Sequence, residues 1–372
     1  MAAVLKKIHL VFGENRINNQ CSSVQKLHIS GWISINDTDM DAMGFYLEKQ
    51  FRPDTETLGP EDERRRLWRQ RRSAMERRYH KSGRYALRRF FKFKIMVRLE
   101  HAFGYGLRAA GLYSQGRKNA MHIAVNTLDL HFSKLSASFD GYRVLHLTDL
   151  HLDMLNGTAA LIYEKIKDLK VDLCVLTGDY RQRTYGKYRQ ILDPMKKILD
   201  AVSAEDGIVG TLGNHDPHVM AGDLEAMGMT LLVNETKIIK RGDEQIGVTG
   251  LDDPHDYYTC QAKEALAETP NGFKMALVHS PEMYHAAERN GYQLYLCGHT
   301  HGGQICLPGG YPIITHLRDG KKFARGSWQF NRMKGYTNQG CGVVGIPVRF
   351  NTQSEVALIT LRRRRAGRPG KA

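Results

Sequence analysis

The rhythm of apolar and polar positions changes near residue 121. From there on, short apolar runs alternate with stretches of helical spacing. Ile123 to Leu130 alternates apolar and polar residues. Arg143-Val144-Leu145-His146-Leu147-Thr148 is an apolar run with β-branched members, entered through the turn Phe139-Asp140-Gly141-Tyr142. Short apolar runs that stop at a polar turn read as strands of a sheet covered on both faces. The same reading predicts strands over 171–177, 207–212, 229–233, 237–240, 246–251, 273–278, 293–297 and 355–361. It predicts helices over 161–169, 191–202, 259–267 and 281–290. Strands and helices in mixed order, with added hairpins, imply a layered α/β sandwich.

Before residue 121 the pattern differs. Lys26 to Ile35 alternates enough for a strand pair, and residues 1–63 otherwise carry no assignable role. Pro53 to Glu63 is acidic with Pro and Gly and reads as a linker. Arg64 to about Ser114 shows no strand-like alternation and no helix breaker before Gly83, so a basic, roughly amphipathic helical segment is expected over 64–120. The catalytic domain is then expected over 121–362, with a basic, disordered tail over 363–372.

Charge sharpens this division. The 372-residue chain carries a formal net charge of +15. Between Arg64 and Arg98 fifteen Lys or Arg face one acid, Glu76, so most of the excess sits in that segment. Tyr85, Leu87, Phe90, Phe91 and Phe93 interleave with Arg88, Arg89, Lys92 and Lys94. Rings beside cations suit an anionic membrane surface first. Packing of the apolar side on the catalytic domain comes next, and nucleic acid last. No apolar run has the roughly 18 residues of a membrane helix. The start does not read as a secretory signal, and six scattered cysteines without Cys-x-x-Cys read as reduced thiols. The expected location is cytoplasmic, with peripheral attachment to the membrane.

The chemistry is written at the strand ends. Asp149-Leu150-His151, Gly178-Asp179, Gly213-Asn214-His215-Asp216, His279 and Gly298-His299-Thr300-His301 each follow a predicted strand, where sheet-borne sites are usually built. Oxygen and imidazole donors without thiolate suit Mn, Fe or Zn. Seven such donors exceed one ion's need and fit a pair of ions sharing a carboxylate. Asp149, His151 and His301 would serve one ion, Asn214, His279 and His299 the other, and Asp179 both. His215 would donate to a phosphate oxygen and protonate the leaving group. Asp216 is expected to orient its ring. Arg181 and Arg183 would bind a second phosphate or stand as plain surface arginines on a loop. Asp252, Asp253, His255 and Asp256 line the pocket or form a solvated turn.

This order of motifs resembles the calcineurin-like metallophosphoesterase superfamily over about Ile123 to Leu361. The resemblance implies a four-layer αββα sandwich, two divalent metals and a bridging hydroxide that attacks phosphorus in line. Gly298 to Gln304, Gly345-Ile346-Pro347-Val348-Arg349 and Ser354-Glu355-Val356 are similar to the YkuE/YaeI-like branch, which includes one class of UDP-2,3-diacylglucosamine diphosphatases. Three functions follow as expectations. The first is hydrolysis of a lipid-linked phosphodiester or pyrophosphate at a membrane surface. The second is a phosphodiesterase on nucleotides or nucleic acid, and the third a non-catalytic metal-binding scaffold. In the first, removing residues 1 to about 114 is expected to leave hydrolysis of a small diester intact.

Overall fold

In the computed structural model, residues 63–81, 98–184 and 186–364 are described. Within them two six-stranded sheets stack face to face. The first holds β1 (Ile123–Phe132), β2 (Tyr142–Leu147), β3 (Leu173–Leu176), β4 (Ile208–Gly210), β5 (Met229–Leu231) and β12 (Ser354–Arg363), in the order β1-β12-β2-β3-β4-β5. The second holds β6 (Glu235–Arg241), β7 (Glu244–Gly250), β8 (Phe273–Leu277), β9 (Leu294–Cys297), β10 (Gly326–Phe330) and β11 (Met333–Thr337), in the order β10-β11-β9-β8-β7-β6. β2, β3, β4 and β5 run parallel, as do β7, β8, β9 and β11. Their carboxyl ends therefore gather on one side, where α/β sheets place ligands.

Strand alternation explains the layering. Val144 and Leu145 point to opposite faces of β2. Val144 joins Val175, Val209, Ile359, Val248, Met275 and Leu296 between the sheets. Leu145 joins Cys174, Ile162, Met195 and Leu224 beneath the outer helices. The outer face of the second sheet packs Ala276 and Tyr295 on Leu266 and Ala287. The result is the expected αββα order.

Element edges differ in places. β12 runs to Arg363 because each of its residues pairs in parallel with β1, down to Phe132 and Arg363. Arg362 and Arg363 are thus strand residues, so Arg363 belongs to the sheet and not to the expected tail. The stretch 281–290 divides into a short 3-10 turn, Pro281–Met283, and a helix, Tyr284–Arg289. The hairpin β10–β11 extends the second sheet beyond the predicted strands.

The basic segment is helical where it is described: α1 (Glu63–Lys81), residues 98–109, and Tyr113–Met121. α1 does not stand apart. Trp68 and Arg72 are buried, and with Glu76 they form an i, i+4, i+8 stripe that faces the catalytic layers. The aromatic cluster Tyr85 to Phe93 lies outside the described residues, as do residues 1–62. Among the described residues no helix is long and apolar enough to cross a membrane.

Candidate metal centre

Each candidate ligand stands where a strand stops and the backbone turns sharply. Asp149, His151, Asp179, His299 and His301 have φ of 49°, 40°, 56°, 71° and 51°. A non-glycine residue in this left-handed region costs about 1–3 kcal/mol, and such strain collects at functional sites. Glycine makes room around them. A Cβ on Gly298 would collide with the Asp149 carboxylate, and one on Gly213 with that of Asp179.

The side chains converge in two groups that share Asp179. In the first, Nε2 of His151 lies 3.1 Å from Nε2 of His301. His301 Nε2 is also 3.4 Å from Oδ1 of Asp149. In the second, Oδ1 of Asn214 lies 3.1 Å from both His279 Nε2 and His299 Nδ1, and those nitrogens are 3.2 Å apart. Oδ2 of Asp179 is 3.2 Å from His279 Nε2 and 3.7 Å from His151 Nε2. His151 Nδ1 donates to the carbonyl of Arg181 at 2.9 Å, and His279 Nδ1 to that of Thr177 at 2.7 Å. Their Nε2 lone pairs therefore face inward.

Electrostatics point the same way. Burial pushes the Asp149 carboxyl up to about 6; His279 opposes this and Asp179 adds to it. Burial carries His151 down to about 4, against the pull of Asp179. Burial also holds His299 and His301 well below the usual imidazole range. Burial disfavours charge on His279 too, yet Asp179 keeps its ring well above that range. Asp149, His151 and His301 lie close enough together to hold a metal ion, as do Asp179, His279 and His299. The oxygen and imidazole donors fit divalent ions of the Mn, Fe or Zn type.

His215 sits over the shared carboxylate, part-exposed, with Nε2 3.9 Å from Asp179 Oδ2. Its backbone N–H donates to Asp179 Oδ1 at 2.9 Å. Its Nδ1 donates to the carbonyl of Gln182. That corrects the role expected of Asp216, whose carboxylate does not orient this ring. It accepts the backbone N–H groups of Asp179, Tyr180 and Gly213 instead, at 2.7, 3.0 and 2.9 Å. Arg181 is also corrected. It is buried, donating from Nε to the carbonyl of His215 and from Nη1 to that of Gly186, both at 2.9 Å. Its guanidinium braces the loop rather than standing free for phosphate. Arg183 is exposed on the same loop.

Of the loop at 252–256, Asp252 turns toward α1, where it accepts from Trp68 Nε1 at 2.8 Å. The His255 ring lies 4.5 Å from that of His299. Gln182 went unnoticed in the sequence because it acts through its carbonyl, which leaves no side-chain signature. Arg72 went unnoticed because it is one arginine in a cationic run.

Residues 142–303 match the family described as calcineurin-like phosphoesterase. The uncharacterized metallophosphoesterase YkoQ of Bacillus subtilis is 29% identical over 66% of this chain and 92% of its own. The phosphodiesterase YaeI of Escherichia coli is 26% identical over 59% and 82%. The UDP-2,3-diacylglucosamine pyrophosphatase LpxG of Chlamydia muridarum is 24% identical over 62% and 63%.

Proposed function

Because the chain carries a calcineurin-like metallophosphoesterase domain and is a metal-dependent phosphoester hydrolase, we propose that it hydrolyses a lipid-linked phosphodiester or pyrophosphate, such as UDP-2,3-diacylglucosamine, at a two-metal centre. The observation that carries the two-metal reading is the reach of one carboxylate, Asp179, into both donor groups. Asp149, His151 and His301 would hold one ion, Asn214, His279 and His299 the other. When bound, such ions supply Lewis acidity toward phosphoryl oxygen and acidify water.

The chain's own groups do the rest. The carbonyl of Gln182 accepts the Nδ1 proton of His215 in either charge state. Proton exchange is thereby confined to Nε2, on the side of Asp179. From there His215 donates to a phosphate oxygen and then to the leaving group. Asp216 positions the turn rather than the ring. Arg183, exposed on the loop next to Gln182, binds a second phosphate.

The lipid reading draws support from the rim. Directly after His301 the chain forms a small hairpin, Cys306–Leu307 paired with Tyr311–Pro312. Leu307, Tyr311, Ile313 and Ile314 are 50–70% exposed there. The Arg325 guanidinium lies against Gly310 of the same hairpin, and exposed apolar residues bordered by polar ones mark surfaces for apolar partners. They suit acyl chains at an anionic membrane surface. LpxG, named for a diacylated sugar nucleotide, is a relative in keeping with this.

Turnover of bis(p-nitrophenyl) phosphate, UDP-2,3-diacylglucosamine and its deacylated form, each with added Mn, tests the proposal. A kcat/KM higher for the diacylated form supports it. Equal or better turnover of the deacylated form would remove the lipid, and inactivity on all three would remove the hydrolase.

A further inference from the structure

We infer that Arg72, on a helix that precedes the family-matched residues, is a positioning residue for this phosphoesterase site. The inference rests on the reading of Asn214 as a ligand and His215 as the proton donor. Asn214 and His215 are the two middle residues of the turn Gly213 to Asp216. From α1, Nη2 of Arg72 donates to the carbonyl of Gly213 at 3.1 Å and to that of Asp216 at 2.8 Å. One guanidinium nitrogen thus grips both ends of the turn.

The rest of the fork is engaged as well. Nη1 donates to the Asp252 carboxylate, and Nε donates to Glu76 Oε1 at 3.1 Å. The Tyr257 ring stacks on the guanidinium, 3.3 Å from its carbon. Glu76 then holds the next residues of the chain, accepting from His218 N and from His218 Nδ1, each at 2.8 Å. Arg72 is fully buried, so these bonds run without competition from water.

A buried charge persists only when its hydrogen bonds are satisfied. Here the bonds of Nη2 come from the turn itself, so turn and guanidinium fix one another. The planar fork also matters, since a lysine ammonium cannot reproduce its fixed geometry toward two carbonyls, two carboxylates and a ring face. Displacing a catalytic group by about 1 Å can cost about a hundredfold in rate. On this inference, removal of the segment before residue 114 would impair hydrolysis, against the expectation that it is dispensable.

Full-length Arg72→Ala and Arg72→Lys should be compared with wild type on two methyl phosphodiesters, one releasing p-nitrophenol and one phenol. Manganese content, Tm and circular dichroism are measured alongside. Arg72→Ala is expected to lose about ten- to a hundredfold in kcat with KM within about threefold, and to lose more on the phenol ester, which needs the proton from His215. Methylguanidinium should restore part of that loss and methylammonium none. Arg72→Lys should stay impaired, and it carries the test if the alanine variant does not fold. Wild-type kcat in a folded variant overturns the inference. So does an equal loss on both esters that guanidinium leaves unchanged, which marks general destabilisation. Inactivity of wild type on both esters would instead bring down the hydrolase reading, and this inference with it.

Discussion

Asp216 holds Asp179 by its backbone: the amide N–H of Asp179 donates to Oδ2 of Asp216 at 2.7 Å. The same carboxylate takes the amides of Tyr180 and Gly213, so it joins two strand ends that carry candidate ligands. Leaving a buried donor unpaired costs about 1–3 kcal/mol. Asp216→Ala strands three. It is expected to lower stability by about 3 kcal/mol or more and to loosen metal binding through Asp179. Urea unfolding and metal titration of the variant check this. Unchanged stability would mean that water replaces the carboxylate without loss.

His215→Ala removes a proton donor and leaves every candidate ligand in place. Turnover is expected to fall about a hundred- to ten-thousandfold, with metal content as in wild type. Elemental analysis beside steady-state kinetics decides the matter. Loss of both ions in this variant would make His215 a ligand.

Asp179→Ala should disturb both ions together, because Oδ2 reaches His279 and His151 from a single position. The expected stoichiometry falls below one metal per chain. Two ions at full occupancy would end the shared-carboxylate reading.

The docking of α1 should be acid-sensitive. Burial raises the pKa of Glu76, but the hydrogen bond from His218 and the charge of Arg72 outweigh it and hold the carboxyl below its usual value of 4.5. A carboxylate depressed on folding adds stability above its unfolded pKa and loses it as pH falls through the folded one. Stability should therefore be flat in this respect at neutral pH and decline below about pH 4.5. Glu76→Gln should be less stable at pH 7 and less sensitive to acid. Parallel urea curves at pH 7 and pH 4 measure both effects. An equal acid-induced decline in the variant would put the sensitivity elsewhere.

The strand ends are legible in the sequence because each pairs a short apolar run with a donor residue within a few positions, and three of the five add a glycine before it. Gly298-His299-Thr300-His301 contains its own turn and two of its donors, and the structure brings both to the site. What stays hidden is what acts across distance. His215 is served by the carbonyl of Gln182, 33 positions earlier, and a carbonyl has no letter. Arg72 resembles its neighbours in composition and differs only in facing inward with Trp68 and Glu76. The hairpin β10–β11 leaves a fainter trace, with Trp328 packed over Gly335 on the facing strand and Asn331 in a left-handed turn, φ 50°.

The position of β12 bears on how the chain matures. This last strand lies between β1 and β2, parallel to one and antiparallel to the other. Until Ser354 to Arg363 leaves the ribosome, β1 has no strand neighbour among the described residues and the edge of β2 is bare. The first sheet is therefore completed only once residues up to Arg363 have been made, and a nascent chain must keep that open edge from pairing with others in the meantime.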